Sequence, residues 1–139
     1  MNKLIIKEGS IAPFRAYKGD AGLDLFIQED TIIPAGTAAK IKAGVAFDLE
    51  EGYYVEVISR SSASFNFPGL IVLPTVVDHG YKGEISTVLQ NVTSKDLTVK
   101  KGDRLAQALL IQCHQFDNEL TMTDKSRGTN DFGSSGKGK

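Results

Sequence analysis

A single all-β domain, a sandwich or barrel, is predicted by three observations. Short β-branched or alternating runs recur along most of the chain, turn-forming Gly, Pro, Asn and Asp separate them, and only one stretch admits a helical reading. The 139 residues match one domain, which buries about two-thirds of its unfolded surface in a single core.

The elements follow in order. KLIIK (3–7) and LDLFI (23–27) are brief apolar runs, the second carrying Asp24 between two leucines, where a buried carboxylate must be paired. TIIPAG (31–36) ends in turn residues, and AAKIKAGVAFDL (38–49) continues the pattern. YYVEVIS (53–59) sets Tyr54, Glu56 and Ile58 on one face and Tyr53, Val55 and Val57 on the other, so one of these faces is core. GLIVL (69–73), GEISTVLQNV (83–92) and LTVKKGD (97–103) repeat the signature. DRLAQALLIQ (103–112) is the ambiguous stretch, and its brevity and β-rich end favour a strand that runs into ALLIQCHQF (108–116). Only the tail from about Ser126 is clearly not core. The predicted organisation is a β domain over 1–125 and a flexible, Gly-rich arm over 126–139.

Composition removes several function classes. With 16 Lys+Arg against 17 Asp+Glu the net charge is -1, which gives no broad basic face for a nucleic acid polymer but leaves room for one phosphorylated small molecule. Cys113 is the only cysteine; it excludes a disulfide within the chain and reads as a buried small hydrophobe. The N-terminus MNKLIIKEGS has three consecutive apolar residues, too few for a signal-peptide core, and no run approaches membrane-spanning length. A soluble, intracellular protein is expected, cytoplasmic with the nucleus left open.

Four stretches carry candidate chemistry. LIVLPTVVDHGYKGEI (70–85) is an apolar strand, an abrupt acid, a Gly-containing turn and a returning strand. Asp78 there is either a turn-forming residue capping its own backbone or a pocket-edge carboxylate that takes a proton from water, with Tyr81 offering a flat face beside it. SRSSAS (59–64) joins a guanidinium to hydroxyls, as a solvated loop or a phosphate cradle. KKGDRLAQALL (100–110) places Arg104 and Gln107 in an otherwise apolar run, where a buried amide needs partners at both ends. The terminal RGTNDFGSSGKGK (127–139) plants Arg127 and Phe132 among glycines and serines, as a frayed end or a lid over phosphate. The two histidines, His79 and His114, show no zinc spacing, and no P-loop or serine elbow is present.

Read in order, AGLDL, RSS, VVDHGYKGEI, GDRLAQ and RGTNDFGSSG make the chain resemble the trimeric deoxyuridine triphosphate nucleotidohydrolases (dUTPases) over residues 21–136. The resemblance implies a jelly-roll-like homotrimer with active sites shared between subunits, hydrolysing dUTP to dUMP and pyrophosphate with Mg²⁺. It implies that Asp78 is the general base and that Tyr81 packs on the deoxyribose and leaves no room for a 2′-hydroxyl. The hairpin from Thr75 through Val77 to Tyr81 would read uracil by its main chain. Arg60, Ser61, Ser62 and Gln107 would hold phosphates. Asp24 would sit either near the metal's water shell or in a subunit-bridging polar network. The arm would be a neighbour's lid, with Arg127 on the phosphates, Phe132 on uracil, and Gly133, Ser134, Ser135 and Gly136 around the γ-phosphate. Metal held by triphosphate oxygens and water needs no direct protein ligand.

The pattern departs from the family's in three places. Asn130 and Asp131 replace two glycines of the arm, Thr75 stands where glycine is common, and Ser62 follows Arg-Ser where glycine is frequent. Two rivals accompany the reading: a dCTP deaminase or bifunctional deaminase/dUTPase, which relies on a glutamate segment that this chain does not match, and a nucleotide-gated binding protein with a regulatory partner, if the source is viral or phage.

Overall fold

Alternation in the sequence becomes alternation in burial. In the computed structural model, which describes residues 1–123, strand β6 (Tyr53–Ser59) turns Val55 and Val57 into the core, and β9 (Ser86–Asn91) buries Thr87, Leu89 and Asn91 on one face. The remaining strands are β1 (Lys3–Ile6), β2 (Gly22–Leu25), β3 (Thr31–Ile33), β4 (Ala38–Lys42), β5 (Val45–Asp48), β7 (Leu70–Leu73), β8 (Thr75–Val77), β10 (Leu97–Val99) and β11 (Ala106–Gln112). All pairings of these strands are antiparallel. A four-stranded sheet runs β2-β11-β6-β8, a three-stranded sheet β4-β9-β7, and two ribbons pair β1 with β5 and β3 with β10. Leu25, Ile33, Val55, Val57, Leu89, Val99 and Leu105 are among the side chains that fill the core between them. The all-β, jelly-roll-like expectation is met.

A buried amide locks two of these elements together. Asn91 has no exposed surface; its Nδ2 donates to the carbonyls of Ile33 (2.9 Å) and Lys95 (2.7 Å), and its Oδ1 accepts from the amide (2.9 Å) and hydroxyl (2.7 Å) of Thr93. Every hydrogen-bonding site of the amide is used. Asn91→Leu strands the buried Ile33 carbonyl and is expected to cost about 3 kcal/mol, read as a lower urea midpoint at fixed protein concentration.

Three expectations need correction. The stretch SSASFN contains a one-turn helix, α1 (Ala63–Asn66), where no helix was predicted; four residues are too few for a periodic signal. ALLIQCHQF is strand only to Gln112, because β11 runs out of partner where β6 begins at Tyr53. Beyond it Cys113 is half-buried rather than buried, its Sγ 3.5 Å from the Gly52 carbonyl, and Phe116 is 98% exposed. The chain therefore leaves the packed body near Cys113, well before Ser126. The roles expected of Arg127, Phe132, Gly133, Ser134, Ser135 and Gly136 lie outside the described residues.

Candidate active site

The four-stranded sheet gathers the candidate residues at its two ends. At one end, β11 lies between β2 and β6, so Gln107 stands in register with Asp24 on one side and Ile58 on the other. Arg60 follows the last residue of β6, and its amide donates to the Leu105 carbonyl at 2.8 Å. Three segments distant in sequence thereby meet. Asp24 pairs with Arg60 Nε through one oxygen and with Arg104 Nη1 through the other, each at 3.1 Å. Arg60 Nη1 also donates to the Arg104 carbonyl at 3.0 Å, and the Arg104 guanidinium lies over the rings of Phe14 and Phe26 at 5.8 and 5.6 Å.

This arrangement fixes the plane of Arg60 and leaves one net positive charge on the Asp24–Arg60–Arg104 triad. The cleft beside it, about 310 Å³, is lined by Asp24, Arg60, Ser61, Gln107, Tyr17 and Asp20. Gln107 Nε2 donates to the Ser59 carbonyl at 3.2 Å. Gly22 makes room for it, since a Cβ there would collide with the Gln107 amide. Ser62 opens α1 next to Ser61. Fixed positive charge with hydroxyl and amide donors is the chemistry of an oxyanion or phosphate cradle.

At the other end, β8 pairs with β6 through Val77 opposite Val55, and Asp78 starts the turn that follows. The Tyr81 amide donates to the Asp78 main-chain carbonyl at 3.0 Å, so the turn is closed by backbone. No hydrogen bond or ion pair engages the Asp78 carboxylate among the described residues. The self-capping reading of Asp78 is thus not met; its carboxylate is exposed on a cleft of about 420 Å³ with His79, Tyr53, Tyr54, Val76 and Cys113. His79 donates from Nδ1 to the Leu49 carbonyl at 2.9 Å, which fixes its ring.

Tyr81 lies round the turn. Its hydroxyl donates to the Glu84 carbonyl at 3.2 Å, and it faces a cleft of about 270 Å³ with Thr75, Val76, Val77, Lys40 and Glu84. Thr75 is extended within β8, opposite Val57, so the hairpin entry needs no left-handed residue there. Within its sheet β8 is an edge strand, and its outer rim of amides and carbonyls is open to a partner. On the flank of the hairpin Lys82 Nζ meets Asp48 Oδ1 at 3.0 Å. That hydrogen bond, with the Lys82 charge, holds the Asp48 carboxyl below the usual carboxylate range. Both groups are exposed, and the pair adds little stability.

The two ends do not meet. Asp78 lies just past Val55 and Arg60 just past Ser59 along the same strand, so about 20 Å of β6, at roughly 3.3 Å per residue, stands between Asp78 and Arg60. Sequence reasoning missed Glu84, the place of His79 in the Asp78 cleft and which residues pair with Asp24. Glu84 had a faint signal, a lone carboxylate between Gly83 and Ile85 at the start of the returning strand.

A family model for dUTPase matches residues 8–136. The deoxyuridine 5'-triphosphate nucleotidohydrolase of Paramecium bursaria Chlorella virus 1 is 35% identical over 141 residues, covering 98% of this chain and 99% of the relative. That of Anaplasma marginale is 37% identical over 130 residues, covering 89% and 88%. Among solved structures, a mutant dUTPase of Staphylococcus bacteriophage 80alpha with dUpNHpp superposes with a TM-score of 0.78 at 23% identity, covering 98% of each chain. A mutant dUTPase of phage phi11 of S. aureus, in which a structural Mg(II) ion is coordinated, superposes with a TM-score of 0.73 at 23% identity, covering 89% of this chain and 97% of that one.

Proposed function

The chain belongs to the dUTPase family and hydrolyses dUTP to dUMP and pyrophosphate, and we propose that it does so at sites completed between chains, with Asp78 of one copy facing Arg60, Ser61, Ser62 and Gln107 of another. One observation carries the proposal: Asp78 and the cleft of Asp24, Arg60 and Gln107 stand at opposite ends of one sheet. A triphosphate a few ångströms from both requires two copies, and a closed ring, a trimer as in the family, places each base against a neighbour's cradle.

In this reading uracil lies along the open rim of β8, where amides and carbonyls of Thr75 to Val77 pair with its edge as another strand would. The Tyr81 ring packs on the deoxyribose and fills the space of a 2′-hydroxyl. Asp78 accepts a proton from a water held in line with the α-phosphorus, the new P–O bond forms, and the bond to the leaving pyrophosphate breaks. Arg60 and Gln107 hold the phosphate oxygens as charge moves to the leaving group.

Among the described residues no group of three or more His, Cys, Asp or Glu is placed to hold a metal ion. In this reading Mg²⁺ would be carried by the triphosphate oxygens and water, with Asp24 and Gln107 accepting from the ion's water. Bound there, Mg²⁺ neutralises phosphate charge. Arg127, Phe132 and the glycines and serines after it complete the proposal as a lid lent by a neighbouring chain, which excludes bulk water.

The test is pyrophosphate release from dUTP, dCTP, dTTP and UTP, with and without Mg²⁺, by the full chain and by one ending at Lys125. Release from dUTP alone, Mg²⁺-dependent and at least about tenfold slower after truncation, is expected. Full activity in the truncated chain removes the lid from the proposal, and release from none of the four removes the catalytic reading.

A further inference from the structure

Tyr81 sits on an exposed turn, yet its ring is clamped. The hydroxyl is tied to the Glu84 carbonyl at 3.2 Å, and the ring folds back over Gly83 so closely that a Cβ there would come within 2.8 Å of Oη. What holds Glu84 then decides where Tyr81 stands. The Glu84 side chain is largely withdrawn from solvent, with Oε2 accepting the Gly44 amide at 2.8 Å and Oε1 facing Lys7 and Lys42 at 3.6 and 3.9 Å.

Gly44 is itself closely packed. It has φ +75°, and a Cβ would strike Ser10 at 2.7 Å and Gln28 at 3.0 Å. The Gln28 side chain bonds the Ile11 amide and the Ala43 carbonyl at 2.8 and 3.1 Å. Next to Glu84, Ile85 exchanges backbone bonds with Val45 and Ala43 at 2.9 and 3.0 Å. A chain of contacts runs from a closely packed, hydrogen-bonded turn through Glu84 to the Tyr81 hydroxyl.

We propose that Glu84 is a positioning residue for sugar discrimination: by gripping Gly44 it fixes the carbonyl that holds Tyr81 against the deoxyribose, and so sets the preference for dUTP over UTP. This rests on the reading of Tyr81 given above. The two lysines flank the carboxylate, but the bond to Gly44 supplies the geometry.

The experiment measures kcat/KM for dUTP and UTP in the full chain and its variants. Tyr81→Ala tests the underlying reading; an unchanged ratio there overturns that reading and the inference together. With that ratio lowered, Glu84→Ala is expected to lower it about tenfold, mainly through a faster UTP reaction and a raised KM for dUTP. Glu84→Gln keeps an amide oxygen for the Gly44 N–H and should stay within about twofold of the parent. Gly83→Ala leaves the grip on Gly44 intact but pushes the Tyr81 ring aside, and is expected to match Glu84→Ala. In a Tyr81→Ala background the Glu84→Ala loss should vanish. If Glu84→Ala does not fold, Glu84→Asp, one methylene too short to reach Gly44, replaces it. An unchanged ratio in the folded variant, an equal loss in Glu84→Gln, or a loss that persists without Tyr81 overturns the inference.

Discussion

Asp78→Asn is expected to lower kcat about a thousandfold while dUTP binding stays within a few-fold of the parent. Asparagine keeps the size of aspartate and its capacity to orient a water, but at neutral pH it takes no proton, so what remains is the in-line geometry and the phosphate cradle. The carboxylate is exposed at a turn closed by backbone, and no described residue bonds it. Its removal should therefore leave the fold intact, and the thermal midpoint serves as the control. Binding has reason to persist or tighten, because one negative charge near three phosphates is gone. Calorimetric titration with dUTP beside pyrophosphate release separates the two quantities. Lost binding with lost turnover would make Asp78 a substrate-holding group, and undiminished turnover would move the base elsewhere, with His79 in the same cleft the first residue to test.

The legible part of the fold was its local part. Val55 and Val57 of β6, and the alternation through Thr87, Leu89 and Asn91 of β9, follow from a two-residue period that burial on one face preserves. Which strand lies beside which does not follow from any period. The pairing of β11 with both β2 and β6 brings Asp24, Arg60 and Gln107 into one cleft, and no spacing in the chain encodes it. Asp24 shows the consequence: the sequence demanded a partner for it, and only the register supplied Arg60 and Arg104. Helix α1 and the exit of the chain near Cys113 escaped notice because four residues carry no period and because Phe116, Leu120 and Met122 look like core while lying exposed. Those exposed apolar side chains, with Leu4, Ile5 and Ile6 on β1, are what a chain that buries surface against copies of itself would display. The order of the five motifs was legible at once, whereas the division of the four described ones between two ends of a sheet was not, since it depends on the length of β6.

That division makes a prediction that a site within one chain would not share. Asp78→Asn lacks the base and keeps the cradle; Arg60→Gln lacks the cradle's guanidinium and keeps the base, with Asp24 still paired to Arg104. Each variant alone should retain about a hundredth of parental activity or less. The two are co-expressed with different tags and purified through both tags in succession, so that every assembly recovered contains both chains. In a closed ring of three, any two-to-one mixture has one junction at which an intact Asp78 faces an intact Arg60, whichever variant is in the majority. Mixed rings should therefore show about one third of the parental rate per assembly, a gain of more than about tenfold over either variant by itself. If base and cradle served the same substrate from within a single chain, mixing would give only the average of two nearly inactive proteins. The outcome turns on the strand that carries Val55 and Ser59 between them, which separates Asp78 from Arg60 within one copy: on the proposed reading, that separation is what lets one defective chain be completed by another.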